Sequence, residues 1–283
     1  MAENSANIAA ELLVATGFET VGHNNLLAKL RSIVPNGRTA MRDSLLAGIS
    51  MILKLNQCLQ QLGLAENWNF VHILITDGQD TASKASLQEA AGAMLAVGQR
   101  IPVSRCKTLI IGIDLGEDRK ATAELLALRQ FGGENCQIFE IGAVNIDELF
   151  NRIQVNLGVM RETSVGVAQS PTGQRAVVIA QREQAVVQVS RTSFAVVFNI
   201  DISGSMQENG RYERVKRSVA QFLAKSPEDD LVAGICFNES VMLLGQMQAR
   251  GPPALANQQS SAGSSQQQYY HNQSSGQCCC SLF

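Results

Sequence analysis

The chain has 283 residues, of which 45% are hydrophobic and 17% are charged, so it is long enough to bury a substantial core. Its formal net charge of −2 gives no general electrostatic reason to expect a nucleic-acid partner. The start of the chain lacks a positively charged segment followed by an apolar core, and no apolar run reaches the roughly 18 residues that span a bilayer. We therefore expect a cytosolic chain with neither a signal peptide nor a transmembrane helix.

From residue 25 to residue 157 the chain alternates between helix-like and strand-like segments. Apolar residues at helical spacing predict helices over 25–33, 39–62, 86–97, 121–131 and 146–155. Short aliphatic and β-branched runs predict strands over 70–76, 108–113 and 137–141. The first of these strands is apolar almost throughout, which is typical of a parallel strand buried on both faces. The alternation predicts an α/β fold with a doubly wound, mostly parallel sheet flanked by helices.

The rest of the chain is organised differently. Residues 176–180 and 185–189 are rich in valine and flank four polar residues, which predicts a β-hairpin within a connector at 158–192. A strand over 194–200, a helix over 212–224, a strand over 231–237 and an edge strand over 241–244 are predicted to follow. From residue 246 the composition is dominated by Gln, Ser, Asn and Gly, so 246–283 is predicted to be a disordered tail.

Four cysteines are widely spaced and lie mostly within apolar runs: Cys58, Cys106, Cys136 and Cys236. Such spacing predicts reduced core thiols rather than a disulfide framework or a zinc site. This agrees with synthesis in a reducing cytosol.

Polar residues follow two of the predicted strands. Asp201, Ser203 and Ser205 form a D-x-S-x-S motif after one strand, and Asp77 follows another in the sequence T-D-G. Thr39 opens a predicted helix. In open parallel sheets, ligands bind beyond the carboxyl ends of the strands. Two carboxylates and three hydroxyls suit a hard divalent cation with an octahedral oxygen shell.

Simpler interpretations of nearby polar residues remain open at this point. Asp201 or Ser203 could cap the helix that follows them, and Thr39 likewise. Asp43 and Asp80 are predicted to be exposed turn acids or first-turn helix acids. The densest basic group is predicted to be a solvated helix face rather than a phosphate-binding patch; it comprises Arg211, Arg214, Lys216 and Arg217.

The D-x-S-x-S motif at 201–205, the threonine Thr39 and the T-D-G aspartate Asp77 together resemble the metal-ion-dependent adhesion site of von Willebrand factor A (vWA) domains. In that family the D-x-S-x-S strand comes first, whereas here it comes last, so the chain resembles a circularly permuted vWA domain. Permutation is tolerated when the original termini lie close together on the surface. The resemblance implies that 1–157 supplies the C-terminal part of the fold, 158–192 the connector, 193–245 the N-terminal part and 246–283 the tail.

The resemblance also implies roles for the five residues. Ser203, Ser205 and Thr39 are expected to be direct ligands of Mg²⁺, or of another divalent cation such as Mn²⁺ or Ca²⁺. Asp201 and Asp77 are expected to act directly or through water. One coordination position is left for an acidic side chain of a protein partner. The site closes either within a monomer or, if two chains exchange halves, in a half-swapped dimer.

The last four residues, Cys280 to Phe283, fit the C-a-a-X prenylation motif, and phenylalanine at X favours geranylgeranyl. One lipid binds a membrane only marginally, so a second signal is expected. Cys278 and Cys279 are candidate palmitoylation sites. A fortuitous or metal-binding cysteine triplet is the alternative. In a eukaryotic cytosol the motif predicts a peripheral location on the cytoplasmic face of a membrane.

The sequence therefore predicts a non-enzymatic, divalent-metal-dependent protein-binding module for adhesion or scaffolding. A metal-assisted phosphohydrolase is the alternative enzyme, but the D-x-D-x-T nucleophile motif and ligands for a second metal are not present in the sequence. A rearranged structural remnant of a vWA protein is the third interpretation. Cooperative unfolding with a midpoint that rises with Mg²⁺ would argue against such a remnant.

Overall fold

Strands from both sides of the predicted connector meet in one sheet. The structure, a computed structural model, describes residues 16–23, 25–116, 118–163 and 192–244, all within the compact unit Met1–Met247. The predicted hairpin, the tail and the C-terminal cysteines lie outside the described residues. The described strands are β1 (Glu19–Thr20), β2 (Trp68–Thr76), β3 (Cys106–Ile113), β4 (Cys136–Ile141), β5 (Ser193–Asp201), β6 (Leu231–Phe237) and β7 (Val241–Leu243).

The spatial order of the strands is β1–β6–β5–β2–β3–β4, with β7 also paired to β6. The five strands from β6 to β4 are parallel neighbours. β1 and β7 pair antiparallel with opposite ends of β6, so β7 is an edge strand as predicted. β5 lies between β6 and β2, and its first residue, Ser193, is paired with Trp68. The late segment of the chain therefore completes the centre of a sheet that the early segment begins.

The two central strands are buried along almost their whole length. Every residue of β2 after Trp68 and every residue of β5 after Ser193 is buried. Both faces of these strands are covered, which explains why their sequences are continuous apolar runs rather than alternating ones. The predicted α/β fold with a mostly parallel sheet flanked by helices is confirmed at this level.

Helices cover both faces of the sheet. They are α1 (Leu26–Ser32), α2 (Met41–Gln61), α3 (Leu87–Arg100), α4 (Arg119–Gly132), α5 (Ile146–Thr163) and α6 (Arg211–Lys225). The first apolar layer is formed by α2, α3 and α4, and the second by α1, α5 and α6. α5 continues to Thr163, beyond the end at 157 predicted for the first segment. No helix in the described ranges has both the length and the apolar character needed to cross a membrane.

Three phenylalanines attach α5 and α6 to the strand that carries the D-x-S-x-S motif. The ring of Phe198 in β5 stacks on Phe150 of α5 with 6.3 Å between centroids. Phe198 also meets Phe222 of α6 edge-on at 5.4 Å. Aromatic pairs in these geometries stabilise a core beyond the apolar area that they bury. The packing of Phe198 against α5 and α6 therefore helps to fix the position of β5, the strand that ends at Asp201.

The loop after β2 caps the first turn of α2. Asp80 Oδ2 accepts the N–H of Arg42 at 2.8 Å, and Ser83 Oγ accepts the N–H of Asp43 at 3.1 Å. These two N–H groups have no acceptor within their own helix. In return, the Asp43 carboxylate accepts the N–H of Lys84 at 3.0 Å. Asp43 is a first-turn acid as predicted, but the exposed position predicted for Asp80 is wrong, because its side chain is fully buried under Arg42.

We expect Asp80→Ala to lower the free energy of unfolding by about 3 kcal/mol. Burial pushes the pKa of Asp80 up, but hydrogen bonds from Arg42 and Ser83 outweigh it and hold that pKa below its ordinary value. The variant therefore removes both a helix cap and the charged partner of Arg42. Urea unfolding near neutral pH measures the loss. As a control, Glu66→Ala removes a carboxylate that is 85% exposed and pairs with Arg105, so it is expected to cost less than about 0.5 kcal/mol. Equal losses in the two variants would contradict the capping role.

The four cysteines in the described part of the chain are free thiols. Cys106, Cys136 and Cys236 are buried, and Cys58 is partly buried. Burial raises the pKa of each of the three buried thiols to about 12, so they stay protonated and unreactive near neutral pH. The prediction of reduced core thiols is confirmed for these residues.

Candidate metal centre

Asp201 ends β5 at the point where the connections of the sheet change direction. From β5 the chain passes through α6 to β6 on one side, whereas from β2 it passes through α3 to β3 on the other. Ligand sites of open α/β sheets form at such switch points. Asp201 is completely buried; its Oδ1 accepts the N–H of Ser203 at 2.8 Å and its Oδ2 accepts the Thr76 hydroxyl at 2.7 Å. The neighbouring strand therefore fixes the orientation of this carboxylate.

Ser203 and Ser205 place two hydroxyl oxygens side by side. Their Oγ atoms are 3.1 Å apart, and the Ser205 hydroxyl donates to Asp77 Oδ1 at 2.8 Å. An octahedral Mg²⁺ shell with Mg–O distances of about 2.1 Å has adjacent oxygens about 3 Å apart. The observed spacing matches one edge of such a shell. Because Ser205 donates its proton to Asp77, the Ser203 hydroxyl is the donor in the contact between the two serines, and one lone pair of Ser205 remains available for a cation.

Thr39 lies on the loop that packs against the turn between the two serines. Gly37 O accepts the N–H of Gly204, the residue between the serines, at 3.0 Å. The Thr39 N–H donates to Thr81 Oγ1 at 3.0 Å, and the Thr39 carbonyl accepts the Thr81 N–H at 2.9 Å. Thr39 is 6% exposed, and its hydroxyl makes no hydrogen bond with a residue in the described ranges. The loop after β2 thus holds the backbone of Thr39 and leaves its hydroxyl unused.

Of the five predicted ligands, the structure brings four into one hydrogen-bonded group: Asp201, Ser203, Ser205 and Asp77. The loop that carries the fifth, Thr39, lies against this group through Gly37. These residues come from chain segments that are more than a hundred positions apart in sequence.

Helix capping does not explain the threonine or the first serine. The N-cap of α2 is Ala40 rather than Thr39, and the N-cap of α6 is Gly210; neither makes a side-chain capping bond. Ser203 precedes the 3₁₀ helix Gly204–Gly210, but its side chain makes no capping bond either. The Ser203 and Thr39 hydroxyls are therefore not used as helix caps.

Arg211, the first residue of α6, lies beside this group. Its Nη1 donates to Asp77 Oδ2 at 2.9 Å, and its Nε donates to Asp114 Oδ2 at 3.0 Å. Its side chain is only 11% exposed. The predicted solvated helix face is therefore wrong for Arg211, because the first turn of α6 points this side chain at the two carboxylates that follow β2 and β3.

Both proposed carboxylate ligands are costly to charge in the absence of a cation. Burial raises the pKa of Asp201 to about 7, and repulsion from Asp77 adds to the shift. Burial also raises the pKa of Asp77, against the hydrogen bonds from Ser205 and Arg211. A divalent cation between these groups would favour the charged form of each.

The chemistry of the donor set fits a hydrated Mg²⁺. Within the described ranges, no group of three or more His, Cys, Asp or Glu side chains is placed to hold a metal ion. The five predicted ligands include only two such residues, so the shell depends on hydroxyl oxygens and water. Mg²⁺ accepts such a shell because it dehydrates reluctantly and keeps several waters in protein sites.

Three neighbours of the site were not anticipated from sequence: Thr76, Asp114 and Arg211. Asp114 directly follows the buried strand β3, as Asp77 follows β2, and that repeated pattern could have indicated it. Burial pushes the pKa of Asp114 up, but hydrogen bonds from the Ala143 N–H and Arg211 outweigh it and keep this pKa below its ordinary value. Asp114 has a positive φ of 49°, a conformation that few residues other than glycine adopt.

Comparisons with known proteins do not assign the chain to a family. No protein-family model matches it, and no curated protein matches it. Among solved structures, the chain is similar to an uncharacterized protein from Alicyclobacillus acidocaldarius, with 21% sequence identity and a TM-score of 0.39. The similarity covers 63% of this chain and 79% of that chain.

Proposed function

We propose that this chain is a circularly permuted vWA-type domain that binds one divalent cation, Mg²⁺, and uses it to dock an acidic side chain of a protein partner. The observation that carries the proposal is the group formed by Asp201, Ser203, Ser205 and Asp77 at the switch point of the sheet. The cation supplies a Lewis-acidic position for a partner carboxylate when it is bound.

The strand order supports the proposed permutation. The two-residue strand β1 pairs with β6 on the same edge as β7 and is left out of the count. When the other six strands are counted from β5 through β6 and β7 and then from β2 to β4, the spatial order becomes 3-2-1-4-5-6, with the third strand antiparallel. This order is a common one for doubly wound sheets with a ligand site between the first and fourth strands. The D-x-S-x-S strand then takes the first position, as in the vWA family.

Each proposed ligand has a distinct role in this chain. Ser203, Ser205 and Thr39 would offer neutral hydroxyl oxygens to the ion. Asp201 and Asp77 would hold those hydroxyls, or ligand waters, in place. Every carboxylate oxygen of these two residues already accepts a hydrogen bond from the chain. Such an arrangement is suited to positioning ligands, so we infer a binding role rather than an enzymatic one.

A membrane anchor is a second part of the proposal. Cys280 would carry a prenyl group, with palmitate on Cys278 or Cys279, and would place the domain at the cytoplasmic face of a membrane. This part depends on the sequence motif alone. Mass spectrometry of the protein from eukaryotic cells tests for these lipids. Unmodified C-terminal cysteines would contradict the proposed anchor.

We expect Asp201→Ala to weaken Mg²⁺ binding by about 10- to 100-fold, because it removes the carboxylate that orients the serine turn. Isothermal titration calorimetry of the metal-free protein with Mg²⁺ measures the change. Circular dichroism would check that the variant keeps its fold.

The matched control is Glu213→Gln, which removes a negative charge from an exposed position on α6 and is expected to leave the Mg²⁺ affinity unchanged. Unchanged affinity in Asp201→Ala would overturn the assignment of this residue to the site. A screen for phosphatase activity with Mg²⁺ separates the binding role from a metal-assisted hydrolase.

A further inference from the structure

Arg211 provides a permanent positive charge next to one of the two carboxylates of the proposed site. Its guanidinium pairs with Asp77 through Nη1 and with Asp114 through Nε, at 2.9 and 3.0 Å. Nη1 also donates to the carbonyl oxygen of Ser205 at 3.3 Å. An arginine stays protonated at every pH at which a protein is folded. The guanidinium of Arg211 therefore already places one positive charge beside Asp77 without any metal ion.

We propose that Arg211 competes with the divalent cation for Asp77 and so sets the metal affinity of the site. This inference rests on the proposed function. The Ser205 hydroxyl, a proposed direct ligand, donates to the Asp77 oxygen opposite the one that Arg211 holds. A cation on Ser205 and the guanidinium are then no more than about 10 Å apart, which is comparable to the Debye length at 0.1 M salt.

The environment of Arg211 makes this repulsion effective. The side chain is 11% exposed and Asp77's side chain is fully buried, so little water lies between the charges. Charges in partly buried positions interact several times more strongly than they do in bulk water. Within the described ranges, the guanidinium has one further acidic partner, Glu208, which is 69% exposed and 3.8 Å away, so it screens the charge weakly.

The consequence is coupling between the metal and an acidic ligand. A divalent cation that binds beside Arg211 is held weakly on its own, and a partner carboxylate restores the charge balance. Each ligand then increases the affinity of the other by the same factor. Removal of the Arg211 charge makes the metal bind tightly without a partner.

The experiment is a calorimetric Mg²⁺ titration of the wild-type chain, Arg211→Gln and Arg211→Lys at low and high salt. Arg211→Gln is expected to bind Mg²⁺ about tenfold tighter than the wild type, with a smaller gain at high salt. Arg211→Lys keeps the charge but cannot bridge both carboxylates, and is expected to stay within about threefold of the wild type.

A second variant changes the charge in the opposite direction. Asp114→Asn leaves Arg211 with one carboxylate fewer, so Mg²⁺ is expected to bind about threefold more weakly. Suppose that the wild type binds Mg²⁺ and that Arg211→Gln binds it no more tightly. Arg211 then only links Asp77 and Asp114 structurally, so the inference fails, although the metal site itself is not contradicted. If neither chain binds Mg²⁺, the proposed function itself fails. If Asp114→Asn binds as tightly as the wild type, the charge account is also overturned.

Discussion

Asp201→Asn is expected to stabilise the metal-free protein at about pH 8 and to abolish its stabilisation by Mg²⁺. Burial, with a contribution from Asp77, raises the pKa of Asp201 from 3.8 to about 7. Above that pH the folded protein must hold a buried charge that the unfolded chain leaves in water. The corresponding cost is up to about 4 kcal/mol at pH 8. Asparagine avoids this cost, and the Thr76 hydroxyl can accept from the new amide as readily as it donates to the carboxylate.

The sign of the pH dependence follows from the direction of the shift. Because the pKa of Asp201 is higher in the folded state, its contribution to stability is fully present below about pH 4 and is lost as the pH rises through about 7. Urea unfolding from about pH 4 to about pH 8, with and without Mg²⁺, measures this loss. In the wild type, Mg²⁺ is expected to recover stability at pH 8. In Asp201→Asn the recovery is expected to disappear, and the loss is expected to shrink to the part that comes from other buried carboxylates such as Asp77.

Glu213→Gln serves as the charge-matched control, since its exposed carboxylate is expected to produce neither effect. An Asp201→Asn variant that is less stable than the wild type at pH 8 and still gains stability from Mg²⁺ would contradict the buried-charge account.

Gly48→Ala is expected to destabilise the protein by about 3 kcal/mol or more, because α2 has no room for a methyl group at this position. A Cβ on Gly48 would overlap Nε2 of His72 and would lie 2.8 Å from Oδ1 of Asn199. Both side chains are completely buried between α2 and the sheet. Asn199 also donates to the carbonyl and the hydroxyl of Ser44 at 2.6 and 2.7 Å, so a shift of α2 breaks these bonds.

The control for Gly48→Ala is Gly92→Ala. Gly92 lies within α3, and a Cβ there meets no atom of the described part of the chain within 4 Å. This variant is expected to stabilise the protein by about 0.5–1 kcal/mol through helix propensity alone. Thermal and urea unfolding of the two variants measure the difference. Equal stability of Gly48→Ala and the wild type would show that α2 does not pack on β2 and β5 as closely as described.

The central strands could be predicted because strands that are buried on both faces consist of apolar residues. β2 and β5 are buried on both faces, so their continuous apolar runs indicated parallel central strands without further information. The positions of Asp77 and Asp201 followed, since the carboxyl ends of parallel strands share one edge of the sheet. The two-residue strand β1 was not predicted, because Glu19 and Thr20 carry no period that distinguishes them from a loop.

The residues around the site were less predictable because their partners are distant in sequence. Arg211 belongs to a basic, amphipathic helix, and the pattern of that helix does not show that its first residue turns toward Asp77 and Asp114. The burial of Asp80 is hard to predict for the same reason, since this residue caps a helix that begins some forty residues earlier in the sequence. Contacts of this kind are set by tertiary packing rather than by local pattern.

We propose that the late D-x-S-x-S turn and the early Thr39 and Asp77 loops close one divalent-cation site within a single chain. The most direct test is a calorimetric Mg²⁺ titration of the monomer-sized fraction from size-exclusion chromatography. We expect one Mg²⁺ per chain in that fraction, with an unfolding midpoint that rises with Mg²⁺ concentration. Binding confined to a dimer fraction, or an absence of binding by a folded monomer, would contradict it.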